Sequence, residues 1–223
     1  YGDIATWDTS GVGDMSQLFN TYCSSKATFN ADLSAWSTSS VTATYYMFFQ
    51  TAAFNQPLDS WDVSKVTTIQ SMFLLATAFN QPLDSLDVSN VKNMQDMLYG
   101  ASGFNRPLAS WEVSKVTNMQ QMFKGTSNLT SISLPTTGAV TDMSEMFQNA
   151  TSLTSVSLPE TGAVTNMSYM FGYATEFNKD IGNWNTNNVT NMQAMFGYAI
   201  KFNQNIGNWN TNNVTNMKAM FGY

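Results

Sequence analysis

Two short columns of carboxylates are the first residues in this chain with chemistry to offer. Asp59 and Asp84 form one; Asp62, Asp87 and Glu112 form the other, each at intervals of 25 residues. Hard oxygen ligands repeated on a scaffold suit a weak Ca²⁺ site, for which Asp59, Asp62, Asp84 and Asp87 are the candidates. The plainer reading is a solvated acidic surface, since stacked like charges repel unless water or a cation such as Lys65 or Lys115 offsets them.

Other columns carry aromatic and amide groups. Trp7, Trp36, Trp61, Trp111, Trp184 and Trp209 recur at equivalent places, with Leu86 once in their stead. Exposed, such a row would stack on sugar rings; buried, it packs a core, and the leucine favours burial. Asn30, Asn55, Asn80, Asn105, Asn178 and Asn203 read as a structural ladder whose amides bond the backbone of neighbouring units. Thr117, Thr141, Thr165, Thr190 and Thr215 read as helix caps, with a flat water-ordering face as the outside alternative. Five Asn-x-Ser/Thr sequons begin at Asn128, Asn149, Asn166, Asn188 and Asn213. Of these, Asn128 and Asn149 fall in expected turns and are the glycan acceptors to consider if the source is eukaryotic.

Catalysis has little to stand on. The chain has no His, which removes the commonest general base and metal ligand. Its one cysteine, Cys23, excludes a thiolate cage; it reads as a partly buried small side chain, with a disulfide to another chain as the alternative. No glycine-rich phosphate loop and no Gly-x-Ser-x-Gly motif is present. The expectation is a protein with no catalytic residues and no cofactor.

All these columns come from one repeated stretch. Phe-Asn opens it at Phe29, Phe54, Phe79, Phe104, Phe177 and Phe202, at 25-residue intervals within each run, and Leu129 and Leu153 open two units of 24 between them. A fixed period of this length marks a solenoid. Val116, Met119, Met122 and Phe123 stand at offsets 0, +3, +6 and +7, which predicts one face of a helix about two turns long. Thr117 with Gln120, Thr67 with Gln70 and Thr190 with Gln193 have capping-box spacing. Gly100, Gly125, Gly172, Gly197 and Gly222 would close those helices. Ile132-Ser133-Leu134 alternates as a strand does, and the following Pro would end it.

The expected fold is therefore an α/β repeat: a leucine-rich-repeat-like solenoid of about nine 24–25-residue units, with short parallel strands on one side and short helices on the other. It is one domain over 1–223. Residues 1–28 are a divergent first unit, 29–128 four regular units, 129–176 two strand-like units and 177–223 two near-identical ones. No unit has the polar face of a terminal cap, so self-association through uncapped ends is expected. The chain starts and stops inside the repeat pattern, without an initiator Met or signal peptide, and so reads as an excerpt or a processed product of something longer.

Charge narrows the partners. The net charge is −6, only 11% of residues are charged, and residues 1–112 hold ten acidic against four basic side chains. Nothing there attracts a phosphate backbone, so nucleic acid is not an expected partner. No apolar run reaches the roughly 18 residues of a membrane-spanning helix.

Phe-Asn-Gln-Pro-Leu-Asp-Ser-Trp-Asp-Val-Ser-Lys-Val-Thr at 54–67 and Met-Phe-Gly-Tyr-Ala at 195–199 resemble the BspA-like surface leucine-rich repeat family. They resemble in particular its subgroup known from mycoplasma-type lipoproteins as the DUF285 repeat. Leu-Thr-Ser-Ile-Ser-Leu-Pro at 129–135 is similar to the other BspA-type repeat. The resemblance covers essentially the whole chain and implies a solenoid on secreted or surface-anchored proteins linked to adhesion, with no catalytic site to carry over. The reading is a non-enzymatic extracellular or cell-surface module that binds proteins or surface glycans. The alternatives are a structural protomer joining end to end into a filament or sheath, and a glycan-binding module that uses the tryptophans.

Overall fold

A computed structural model of the chain describes residues 3–20 and 27–222; Cys23 lies outside them. Successive units stack in parallel, each lying on the next. Single-residue parallel bridges run from Thr68 to Asn93, Asn118, Asp142, Asn166, Asn191 and Asn216, and Asp14 pairs with Ala43 in the same way.

The expected helices do not form. Among the described residues the regular elements are one 3-10 turn at Ile4–Thr6 and two parallel strands, β1 (Ser131–Ser133) and β2 (Ser155–Ser157). The strands pair in register, Ile132 opposite Val156. No helix among the described residues is long and apolar enough to cross a membrane. The α/β solenoid with helices on one side is therefore replaced by stacked coils made almost wholly of turns.

Hydrogen bonding explains the difference. Most N–H groups of residues 119–126 are divided between two kinds of partner. Met119, Gln121, Phe123 and Gly125 donate to the carbonyls of Asp142, Ser144, Met146 and Gln148 in the next coil, at 2.7–3.0 Å. Met122, Lys124 and Thr126 donate three residues back, to Met119, Gln121 and Phe123. Half of the donors an α-helix would use are thus spent between coils. A two-turn helix is unstable alone in water, whereas these turns satisfy their backbone through neighbours. Gln121 (φ 57°) and Gly125 (φ 71°) stand third in their turns, in the left-handed region that a type II turn requires there.

The capping and closing residues do other work. Thr117 Oγ1 donates to the Lys92 carbonyl, and the Gln120 N–H donates to Asn118 Oδ1. Thr190 and Gln193 repeat that pattern, while the Gln70 N–H donates to Thr68 Oγ1. Of the five glycines expected to close helices, only Gly100 and Gly125 take positive φ; in later units the place falls one residue on, at Tyr173 (φ 61°) and Tyr198 (φ 58°).

The core is a set of columns running the length of the stack. Phe123, Phe147, Phe171 and Phe196 stack ring on ring with centroids 5.5–5.8 Å apart. Phe54, Phe79 and Phe104 form a second stack. Val116, Met119 and Met122 and their counterparts in neighbouring coils are sealed from solvent. The apolar offsets mistaken for a helix face are therefore real core positions, presented by turns.

Candidate functional site

Two neighbouring columns of side chains project from the turns at left-handed residues. The first is Tyr46, Ser71, Asp96, Gln121, Glu145, Tyr169, Ala194 and Ala219. The second is Gln50, Leu75, Gly100, Gly125, Asn149, Tyr173 and Tyr198. Among the described residues fourteen non-glycine residues hold positive φ, and all belong to these columns, Gln17 continuing the first ahead of Tyr46. An L-residue pays roughly 1–2 kcal/mol in this conformation. The face they form, the turn face, changes character along the stack.

Its middle is polar. Lys124 Nζ lies 2.6 Å from Glu145 Oε2, and Gln121 Nε2 donates to the same oxygen at 2.9 Å. The Lys124 ammonium also sits 5.1 Å from the centroid of the Tyr99 ring. Asp96 is buried beside them. Its Oδ2 accepts from Gln95 Nε2 at 3.1 Å, while its Oδ1 and the buried Ser71 Oγ have no hydrogen-bond partner among the described residues. Burial pushes the Asp96 carboxyl above its ordinary range, with Gln95 and Lys124 opposing the shift.

Further along, the face is aromatic. Tyr173 and Tyr198 stack at 4.5 Å with their planes 9° apart. Beside them runs an open groove of about 190 Å³, floored by Gly172, Gly197 and Gly222 and edged by Tyr169.

The residues singled out by sequence sit elsewhere. Trp36, Trp61, Trp111, Trp184 and Trp209 are buried, and Trp7 is 45% exposed. The indole N–H of Trp36, Trp61, Trp111 and Trp209 donates to a carbonyl of the preceding unit, for Trp111 the Leu83 carbonyl at 2.8 Å. Trp7 stacks on Trp36. No row of open indole faces is left for a sugar.

The asparagines form a ladder of side-chain-to-backbone bonds. The N–H of Asn55 donates to Asn30 Oδ1, that of Asn80 to Asn55, that of Asn105 to Asn80, and that of Asn203 to Asn178. A second amide column, missed from sequence, follows the bridged residues: Asn93 Nδ2 donates to Gln70 Oε1 and Asn118 Nδ2 to Gln95 Oε1. The recurring Val-Thr-Asn-Met was its signal, absorbed instead into a helix.

The carboxylates serve their own turns. Asp62 accepts from Ser64, Asp87 from Ser89, and Glu112 from Ser114 and Thr136. These bonds hold all three carboxyls below their ordinary range, the Ser64 and Ser89 side chains and the Thr136 hydroxyl being the largest causes. Asp84 Oδ1 accepts from Ser110, and Asp59 is exposed. No three Asp, Glu, His or Cys side chains converge to hold a metal ion among the described residues, so the Ca²⁺ candidates do not form a cage.

Asn128 and Asn149 are both exposed, and Asn149 lies in the turn face itself. Asn166, Asn188 and Asn213 have their side-chain amides engaged with Asp142, Gly162 and Asn187. Thr117, Thr141, Thr165, Thr190 and Thr215 are exposed, and each hydroxyl donates to a carbonyl of the preceding coil at 3.1–3.3 Å.

Comparison with known proteins places the repeat. No curated protein matches the chain. A solved TLR13–ssRNA13 complex is a remote structural neighbour, with a TM-score of 0.14 and 8% identity over 76% of this chain; the matched part spans 46% of that one. A family described as "Mycoplasma protein of unknown function, DUF285" matches over residues 1–101, 58–158 and 141–223. Those three stretches overlap and together cover every unit, so the chain belongs to the DUF285 family.

Proposed function

We propose that the chain is a non-enzymatic protein-interaction module, displayed at the cell surface or outside the cell, that meets its partner through the turn face. The observation behind this is a contrast between columns. Where coils must match to stack, the units repeat: Val, Met, Phe and Asn recur at their places. On the turn face the exposed column does not: Gln50, Leu75, Asn149, Tyr173 and Tyr198 share it with Gly100 and Gly125. A scaffold with no use for them would carry glycine throughout, as at Gly100 and Gly125, and avoid the cost of left-handed side chains. Variation on a rigid array is what selective recognition of an extended surface requires. The surface location and the adhesive role extend this reading by the likeness to BspA-like surface repeats.

A panel of purified secreted and surface proteins, screened against the chain, tests it. A binder should be lost in the combined variant Leu75→Gly, Tyr173→Gly, Tyr198→Gly, while Thr117→Ala, Thr141→Ala, Thr165→Ala retains it, with folding of both checked by melting. A binder with the reverse sensitivity would move the contact to the threonine column and sink the assignment.

A further inference from the structure

We propose that Tyr173 and Tyr198 form an oxidative cross-linking site, at which a one-electron oxidant joins two adjacent coils through a dityrosine bond. The inference is independent of the binding role above. The two rings lie one unit apart, with centroids at 4.5 Å and planes 9° from parallel. Parallel overlap at this distance brings ring carbons of both side chains close together. Each residue is 43% exposed, and the open groove of about 190 Å³ beside them admits oxidant and gives the rings room to turn.

Among the described residues the pair is set apart from the other tyrosines. Tyr45 and Tyr46 meet edge-on, at 87° and 6.2 Å, which does not lay one ring over the other. The hydroxyls of Tyr45 and Tyr169 accept hydrogen bonds from Gln17 and Gln193. Tyr173 and Tyr198 also occupy left-handed positions that glycine fills in two earlier units, so the stacked pair is held where a bare backbone would be less strained.

The chemistry balances with hydrogen peroxide as the terminal oxidant, used by a haem peroxidase. Each phenol loses one electron and its hydroxyl proton, giving two phenoxyl radicals. The radicals pair to form one carbon–carbon bond between ortho positions. The hydrogen on each joined carbon then moves to oxygen and restores both phenols. The two hydrogen atoms removed reduce one peroxide to two waters. Release of strain at the new bond needs the rings to rotate out of the stack, which their exposure allows. The product ties the unit opening at Phe177 to the coil before it by a covalent bridge that closes a 25-residue loop.

The test uses the full chain in a Tyr223→Phe background, treated with horseradish peroxidase and limiting peroxide. The expected product is a monomer lighter by two hydrogen atoms, with dityrosine fluorescence. Peptide mapping should link Tyr173 to Tyr198, at a rate independent of protein concentration. Tyr173→Phe and Tyr198→Phe keep the stacked rings and remove the phenol, so each should abolish the product; Tyr45→Phe should leave it unchanged. Coupling that persists in both Phe variants, maps first to Tyr45 and Tyr46, or scales with protein concentration overturns the proposal.

Discussion

The backbone N–H of Asn80 donates to the side-chain oxygen of Asn55, one coil earlier, at 2.9 Å. Gln81 Nε2 reaches the same asparagine, at both its carbonyl and its side chain. Asn55 thus answers a backbone donor that no strand partner serves. Asn55→Ala is expected to destabilise the stack by roughly 1–2 kcal/mol, the cost of an unanswered partly buried donor. Urea unfolding measures it, and an unchanged midpoint would reduce the ladder to ornament.

Trp111 is 1% exposed and bonds to the Leu83 carbonyl, yet Leu86 fills the equivalent place one unit back and is buried as well. Trp111→Ala should cost roughly 3–5 kcal/mol through the cavity it leaves. Trp111→Leu should cost distinctly less, because a coil that accepts leucine already exists in the array. Comparable losses for both would mean that the indole hydrogen bond outweighs packing.

Gly125→Ala isolates the cost of the left-handed turns. A Cβ built there would approach Gly100 at 3.6 Å, an ordinary contact, so the penalty comes from φ 71° alone. About 1 kcal/mol of destabilisation is expected. Gly103→Ala should cost more, since its Cβ would sit 2.8 Å from the Thr77 carbonyl oxygen. Thermal melts of the two variants, side by side, give the comparison.

Asp96 makes stability fall as pH rises. Its folded-state carboxyl binds the proton more tightly than the unfolded chain does, because burial penalises the charge. The contribution is fully present below the ordinary carboxylate pKa and is lost as pH climbs through the raised folded value. Asp96→Asn should remove that slope and stabilise the protein at neutral pH. Asp62 and Asp87, with lowered pKa values, act in the opposite sense and lose their contribution as pH falls through their folded values. Denaturation midpoints of Asp96→Asn and the parent from acid to neutral pH give the answer; parallel curves would show that the carboxyl titrates as it does in the unfolded chain.

Far-ultraviolet circular dichroism should lack a helical signature, since turns and two three-residue strands are the secondary structure of the described residues. A strong helical spectrum would restore the arrangement that the sequence first suggests.

That suggestion failed for a definite reason. The period, the matching columns and the identity of the core residues were readable from the chain alone, because stacking demands the same apolar side chain at the same place in every unit: Val116, Met119, Met122 and Phe123 are buried as their recurrence implies. The ladder of Asn30, Asn55, Asn80 and Asn105 was readable on the same ground. Secondary structure was not. Offsets of three, six and seven suit a short helix and a chain of turns equally, and what separates them is the destination of each N–H. That destination lies in another coil, as where Phe123 donates to Met146, and no local pattern records it. The turn face was hidden for the same reason: Asp96, Gln121 and Glu145 look like ordinary helix positions until neighbouring coils bend the backbone at each into the left-handed region and line their side chains up.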